Sequence, residues 1–304
     1  MGWFGWLRRR PAAATTTPEE GTSVALISGR LRKVGIPYVL PADLEEMNRL
    51  DFQHYLLRQV FRGNYATPIA YPRDILDVGT GTGRWAREMA QQFPRANVVG
   101  LDVTVPPADE KAEAGGPEVR PSNYAFVAGN ILEGLPFPDH SFDFVHMRLL
   151  VLAIPHDRWP FIVRELARVT RPGGWVESVE ATTLEQGGPA MDQFMGWIVT
   201  MLQRRGIDFF DGARVGDLLR AAGLANVVTN RINLPFGEYG ERTGKLLMAD
   251  FFNGVQAYAG LMQAQGIASV DEFNRVVSQA RADVALPHVH CLSPFHIAYG
   301  QVVH

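Results

Sequence analysis

Residues 75–85, ILDVGTGTGRW, set an aspartate among apolar residues and then place glycine at positions 79, 81 and 83. Glycine adopts positive φ without steric cost and leaves the main chain open to close approach. A loop of this kind therefore suits a ligand held by backbone groups. A nucleoside triphosphate on a Walker loop needs Gly-Lys-Ser/Thr after the glycines, and no lysine follows here. A dinucleotide fits better, because Gly81, Gly83 and Ala86 read as G-x-G-x-x-A and Asp102 closes the next apolar run. Asp77 points to something else: a carboxylate within the run before the glycines is not required for a dinucleotide and suits a ligand bearing an ammonium group.

Histidine is the side chain best matched to proton transfer near neutral pH. His146, Arg148 and His156 stand in or just after the apolar run FDFVHMR, and His54 lies in an upstream helical pattern. His156 is the first candidate base and His54 the second. Each also has a plain reading, His156 as a cap on the helix that follows Pro155 and His54 as a packed core histidine. The stretch HVHCLSPFH brings His288, His290, Cys291 and His296 together. Imidazole and thiolate bind zinc, yet no nearby carboxylate or second cysteine completes a set, so no metal site is expected.

The elements that must position these residues follow from pattern. ILDVG, then RWAREMAQQF, then ANVVGLDV is apolar run, helix, apolar run, the spacing of a βαβ unit with a parallel sheet. The glycine loop then joins a strand's carboxyl end to a helix N-terminus, where open α/β sheets bind ligands. Upstream, Asp43 precedes a stripe of Leu44, Met47, Leu50, Phe52, His54, Leu57 and Val60 at helical spacing. Residues 106–123 are rich in Pro, Gly and charge and predict a surface loop. Downstream, residues 244–265 and 270–284 predict amphipathic helices, the first rich in Leu, Met and Phe. They suit a lid over a greasy substrate, a subunit interface, or both.

With four motifs in order, the chain resembles the class I S-adenosylmethionine-dependent methyltransferases. ILDVGTGTG is followed by VVGLDV (98–103), FVAGNILEGLPFPDHSFDFVHM (126–147) and LARVTRPGGWVESVE (166–180). A narrower resemblance, carried by residues 29–61, the TGTGRWA loop and FDFVHMR, is to the LaeA-like and natural-product-tailoring group of that superfamily. Tyr38 and His54 match that group, whereas Leu31 stands where it often has tyrosine.

The resemblance implies a Rossmann-like seven-stranded methyltransferase sheet of order 3-2-1-4-5-7-6, with an N-terminal helical cap and a helical insertion before the last strand. The corresponding organisation is a flexible tail (1–22), the cap (23–70), the cofactor-binding core (71–240), the lid insertion (241–291) and the last strand (292–304). The implied cofactor is S-adenosyl-L-methionine, held by Tyr38, Asp77, Gly79, Thr80, Gly81, Gly83, Asp102, Val103, Asn130, Ile131, Met147 and Arg148. Within that set Asp77 orients the amino group, Asp102 accepts the ribose hydroxyls, and Asn130 with Ile131 lines the adenine. Asn130 stands where the superfamily often has aspartate, and it can also be read as a turn residue. Tyr38 and His54 would close the cap over the cofactor, and the catalytic candidates remain His156, His54 and His146.

Bulk properties narrow the partners. A formal net charge of -3 disfavours binding by broad phosphate neutralisation, so no nucleic-acid partner is expected. A single cysteine rules out an internal disulfide framework and suits a reducing compartment, which makes the cytoplasm the expected location. No apolar run approaches the roughly 20 residues of a bilayer span. Trp3, Phe4 and Trp6 beside Arg8, Arg9 and Arg10 read either as part of a disordered tail or as a surface that rests on a membrane or partner subunit. A small hydrophobic acceptor is expected, with homo-oligomerisation through the N-terminal segment or the insertion as a further expectation. The reading from a different class is a regulatory module that keeps the cofactor fold and works by binding proteins.

Overall fold

The computed structural model describes residues 24–27, 30–33, 44–105 and 120–303. The tail, Tyr38, Asp43 and most of the loop expected at 106–123 lie outside the described residues.

Seven strands form the main sheet: β3 (Asp74–Val78), β4 (Asn97–Asp102), β5 (Tyr124–Ala128), β6 (Phe142–Arg148), β7 (Thr170–Ala181), β8 (Ala225–Pro235) and β9 (Leu292–Gln301). Their order is β5-β4-β3-β6-β7-β9-β8, with β9 antiparallel to both neighbours. Counted along the chain within this sheet, that is the expected 3-2-1-4-5-7-6. Every residue of β3 is buried, as a parallel strand covered on both faces requires. Because β3 pairs with β4 on one side and β6 on the other, the chain reverses its winding there. The carboxyl ends of β3, β4 and β6 thus border the crevice in which this architecture binds ligands.

A two-stranded antiparallel unit, β1 (Val24–Ile27) with β2 (Arg30–Lys33), precedes helix α1 (Leu44–Phe61). Helices α2 (Arg84–Gln92), α3 (Trp159–Val169) and α5 (Asp211–Ala221) flank the sheet. A second apolar core lies where α1 meets α4 (Pro189–Gln203), α6 (Glu241–Val255), α7 (Ala259–Ala264) and α8 (Val270–Val284), and it is built around Phe194, Phe236, Phe252 and Phe273. The Ser269 side chain caps α8 by accepting from Glu272 N at 3.2 Å.

Three details differ from the sequence expectation. Helix α4 was not among the expected elements. The helix expected over 244–265 is interrupted by a 3-10 turn at Gln256–Tyr258, where the Tyr258 ring is buried. The apolar stripe expected on α1 is only partly inward: His54 is buried as expected, but Leu44 is 68% exposed and Phe52 39%, whereas Glu46 is buried. The helix turns polar groups inward because they meet charged partners there, as described next.

Candidate active site

The glycine loop leaves β3 with the Gly79 and Thr80 amides both donating to Leu101 O on β4, at 2.8 and 3.0 Å. Gly81 has φ 57° and Gly83, which precedes α2, has φ 78°, both in the left-handed region where a β-carbon is strained. A β-carbon on Gly81 would find no heavy atom nearer than Leu50 Cδ1 of α1, at 4.0 Å. The loop and the capping helix therefore enclose a gap beside this glycine. At its edge, Asp102 Oδ2 accepts from the Gly81 amide at 3.0 Å, and Oδ1 accepts from Thr104 N at 3.2 Å.

Beneath the loop runs a chain of buried polar groups. Asp77 Oδ2 accepts from the Thr80 hydroxyl at 2.7 Å, and Oδ1 lies 2.9 Å from His146 Nδ1. The His146 ring stacks on Trp85 with centroids 3.9 Å apart and planes 4° from parallel, while Trp85 Nε1 donates to Asn64 O at 2.7 Å. Asp77 and His146 are 3% and 1% exposed, so they brace the loop from below.

Side chains alternate along β6, which puts Arg148 on the His146 face. Arg148 NH2 donates to His54 Nδ1 at 3.0 Å, and His54 Nε2 lies 3.3 Å from Glu88 Oε2. Burial, followed by the Arg148 charge, pushes His54 down to about 4. Neutral His54 thus accepts at Nδ1 and carries its proton at Nε2 toward Glu88. Burial works against the Arg148 charge, which Asp77, Glu177, Glu88 and Glu180 support. The anchor for the chain that follows α1 is Glu177, whose Oε2 accepts from Ala66 N, Thr67 N and the Thr67 hydroxyl.

Between α1, α4, α6 and the strand ends lies a cavity of about 180 Å³. Its walls come from α1 (Leu50, Leu57), the turn after β6 (Leu149, Leu152), α4 (Met195, Ile198) and α6 with the turn after it (Leu247, Phe251, Tyr258), and they are mostly apolar. Polar groups enter at two places: Thr182, just past β7, with Ser293 of β9, and Arg49, Gln53 and Asp250 from the helices. Leu50 belongs both to this cavity and to the gap over Gly81, so the two spaces adjoin at that side chain.

The expected residues separate into groups. Asp77, Gly79, Thr80, Gly81, Gly83, Asp102 and Arg148 converge on the loop and the strand ends around it. Val103 follows β4 and is half-buried. Met147 does not join them: it faces the opposite side of β6 from Arg148 and is fully buried in the core with Val145. Asn130 caps a 3-10 turn, its oxygen accepting from Leu132 N at 3.1 Å and its amide donating to Glu133 Oε1 at 3.0 Å. Ile131 packs partly buried against the core.

The catalytic expectations change more. His156 does not line the cavity; its Nδ1 lies 2.9 Å from both carboxylate oxygens of Asp211, and its side chain is 53% exposed. Both nitrogens of His54 face Arg148 and Glu88, and His146 is sealed beneath the loop, so neither ring reaches the cavity. In the HVHCLSPFH stretch, His290 stacks on Tyr239 at 4.4 Å, and burial pushes the Cys291 thiol up to about 12.

Sequence reasoning missed Trp85, Glu88, Glu177, Arg49, Gln53 and Asp250. Asp250 carried a signal, as a lone acid inside LLMADFFNGV.

Comparison with known proteins points to methyltransferases. A family model described as a methyltransferase domain matches residues 75–174. Methyltransferase str3 of Strobilurus tenacellus is 30% identical over 206 residues, covering 66% of this chain and 70% of its own. Methyltransferase pytC of Aspergillus terreus is 26% identical over 280 residues, covering 87% and 83%. The secondary metabolism regulator LAE1 of Cochliobolus heterostrophus is 28% identical over 218 residues, covering 66% and 67%. In fold, the chain is similar to Haemonchus contortus phosphoethanolamine N-methyltransferase 2 (TM-score 0.51, 15% identity). That alignment covers 84% of this chain and 53% of the longer enzyme.

Proposed function

The chain belongs to the class I S-adenosylmethionine-dependent methyltransferases, in the group of fungal natural-product enzymes and LaeA-like regulators, and from that premise we propose that it methylates a small hydrophobic, natural-product-like acceptor. The observation that carries this reading is the apolar cavity adjoining the glycine loop at Leu50. Leu, Ile, Met and Phe side chains form most of its walls, a lining suited to rings or isoprenoid-like chains and poorly suited to sugars or nucleotides.

The residues present fit S-adenosylmethionine. Gly81 borders a gap that a larger residue would fill, and Asp102 offers a carboxylate at its edge. Arg148 supplies a cation at the end of β6. We assign cofactor binding to the loop, Asp102 and Arg148, with Asp77 and His146 bracing the loop and His54 positioning the Arg148 guanidinium. When bound, the cofactor supplies a methyl group on a sulfonium, open to in-line displacement. Leu50 excludes water where the two spaces meet, while the cavity walls restrict the acceptor's orientation. Holding reactants near attack geometry contributes roughly 7–11 kcal/mol in well-oriented systems. His54 takes no proton in this scheme, because Arg148 occupies its acceptor nitrogen. A general base is needed only for an acidic O–H or N–H nucleophile.

The similarity to LAE1 favours a second reading, in which the same fold serves regulation by binding proteins. Turnover separates the two. Incubation with S-adenosylmethionine and apolar hydroxylated or aminated small molecules yields S-adenosylhomocysteine and a methylated product on the enzyme reading. Retention of protein partners without turnover supports the regulator.

A further inference from the structure

One end of the cavity is charged. Arg49 Nε and NH2 donate to Glu46 Oε2 and Oε1 at 2.8 and 2.6 Å. Its NH1 reaches Asp250 Oδ1 and Oδ2 at 3.1 and 3.3 Å, and Gln53 Nε2 donates to Asp250 Oδ2 at 3.0 Å. Glu46 is 3% exposed and Asp250 6%. One guanidinium therefore faces two buried carboxylates, and of those two Asp250 lines the cavity, with Leu247, Phe251 and Gly254 of the same helix.

The direction of these bonds determines what this end offers an acceptor. The Arg49 fork is directed at carboxylates and the Gln53 amide is directed at Asp250, so neither is aimed at an incoming anion. Asp250 is an acceptor whose oxygens retain lone-pair capacity. Burial pushes its carboxyl up while Arg49 pulls it down, so a further hydrogen-bond donor would relieve a real desolvation cost.

Resting on the reading of the cavity as the acceptor site, we propose that Asp250 is a specificity-determining residue that holds a hydrogen-bond-donating group of the acceptor, a hydroxyl or a protonated amine, at this end of the cavity. The Glu46–Arg49 pair and Gln53 position the carboxylate. The acceptor is thus an apolar molecule with a donor group, and apolar carboxylic acids are rejected because their charge repeats that of Asp250. The reaction that supplies such a substrate is one that installs a hydroxyl or an amine on an apolar skeleton.

Three probes of matched shape test this: 4-butylphenol, 4-butylanisole and 4-butylbenzoate, titrated calorimetrically into the protein saturated with S-adenosylhomocysteine. The phenol should bind roughly tenfold to a hundredfold more tightly than the anisole, the range expected for a hydrogen bond to a charged group, and the benzoate most weakly. Asp250→Asn should shrink the phenol–anisole gap while leaving anisole binding nearly unchanged. Equal binding of phenol and anisole by the wild type, tightest binding of the benzoate, or an undiminished gap in a folded Asp250→Asn protein would overturn the proposal. If the variant does not fold, the wild-type order alone decides. The cavity reading fails separately, and this proposal with it, if none of the three binds or if filling the cavity with Ala181→Phe weakens none of them.

Discussion

His54 gives the account a prediction with a calculable size. The ring is 3% exposed, accepts from Arg148 at 3.0 Å, and is pushed from the ordinary 6.5 down to about 4, chiefly by burial and then by Arg148. Above pH 6.5 the ring is neutral in both folded and unfolded chains and contributes no pH dependence. Below pH 6.5 the unfolded chain binds a proton that the folded chain refuses until about pH 4, so stability is lost as pH falls through this window. At about 1.4 kcal/mol per unit, a shift of this size corresponds to about 3 kcal/mol. His54→Gln keeps an oxygen able to accept from Arg148 and removes the titration. Urea unfolding of both proteins at pH 7 and pH 4.5, taken as the difference between the two pH dependences, cancels the carboxylates they share. The wild type should lose about 2–3 kcal/mol more than the variant over this interval. Equal losses would show that His54 titrates normally, and the description of Arg148 as held by a neutral imidazole would fall.

Other substitutions probe the cofactor side and the lid. Asp102→Ala should weaken S-adenosylmethionine binding by roughly tenfold to more than a hundredfold, from the loss of one or two charge-assisted hydrogen bonds; unchanged affinity in calorimetry would remove Asp102 from the site. Gly81→Val should abolish measurable cofactor binding, because its side chain enters the gap beneath Leu50, while the positive φ costs about 1–3 kcal/mol of stability. Full-strength binding by that variant would place the cofactor elsewhere. Phe251 lines the cavity and meets Phe194, Phe236 and Phe252 with ring centroids 6.0, 5.6 and 5.2 Å away. Phe251→Ala should raise the acceptor KM at unchanged cofactor affinity, with a stability loss below the roughly 3–5 kcal/mol of a fully buried ring. A stability loss without a kinetic effect would make Phe251 simple packing.

What the sequence reveals is the part dictated by backbone demands and periodicity. The glycines at 79, 81 and 83, Asp102 at a strand end and the alternation of apolar runs with helices all have local causes, and the sheet follows from them. Helix α4 also has a local cause, since Met191, Phe194, Met195, Ile198, Met201 and Leu202 repeat at helical spacing, a period that the expectation above omits. Side-chain parity along β6 separates Met147 from Arg148 and was equally available. The polar partnerships were not. Arg49 meets Asp250 across 201 positions and Arg148 meets His54 across 94, distances over which no pattern in one sequence carries information. For the same reason the pairing of His156 with Asp211, 55 positions away, was not legible, whereas the turn that Asn130 caps is local and was already one of its two readings.

The central claim is that a methyl group carried beside the glycine loop is delivered into the apolar cavity under α6, and filling that cavity tests it most directly. Ala181, at the end of β7, belongs to the cavity wall, so Ala181→Phe places a ring where the acceptor should lie. The measurement is transfer of a trideuteromethyl group from labelled S-adenosylmethionine into a mixture of apolar hydroxylated and aminated small molecules, read by mass spectrometry for both proteins. The account predicts labelled products with the wild type and their loss with Ala181→Phe, at unchanged cofactor affinity. Undiminished labelling by the filled variant, or none by a wild type that binds the cofactor, would contradict it.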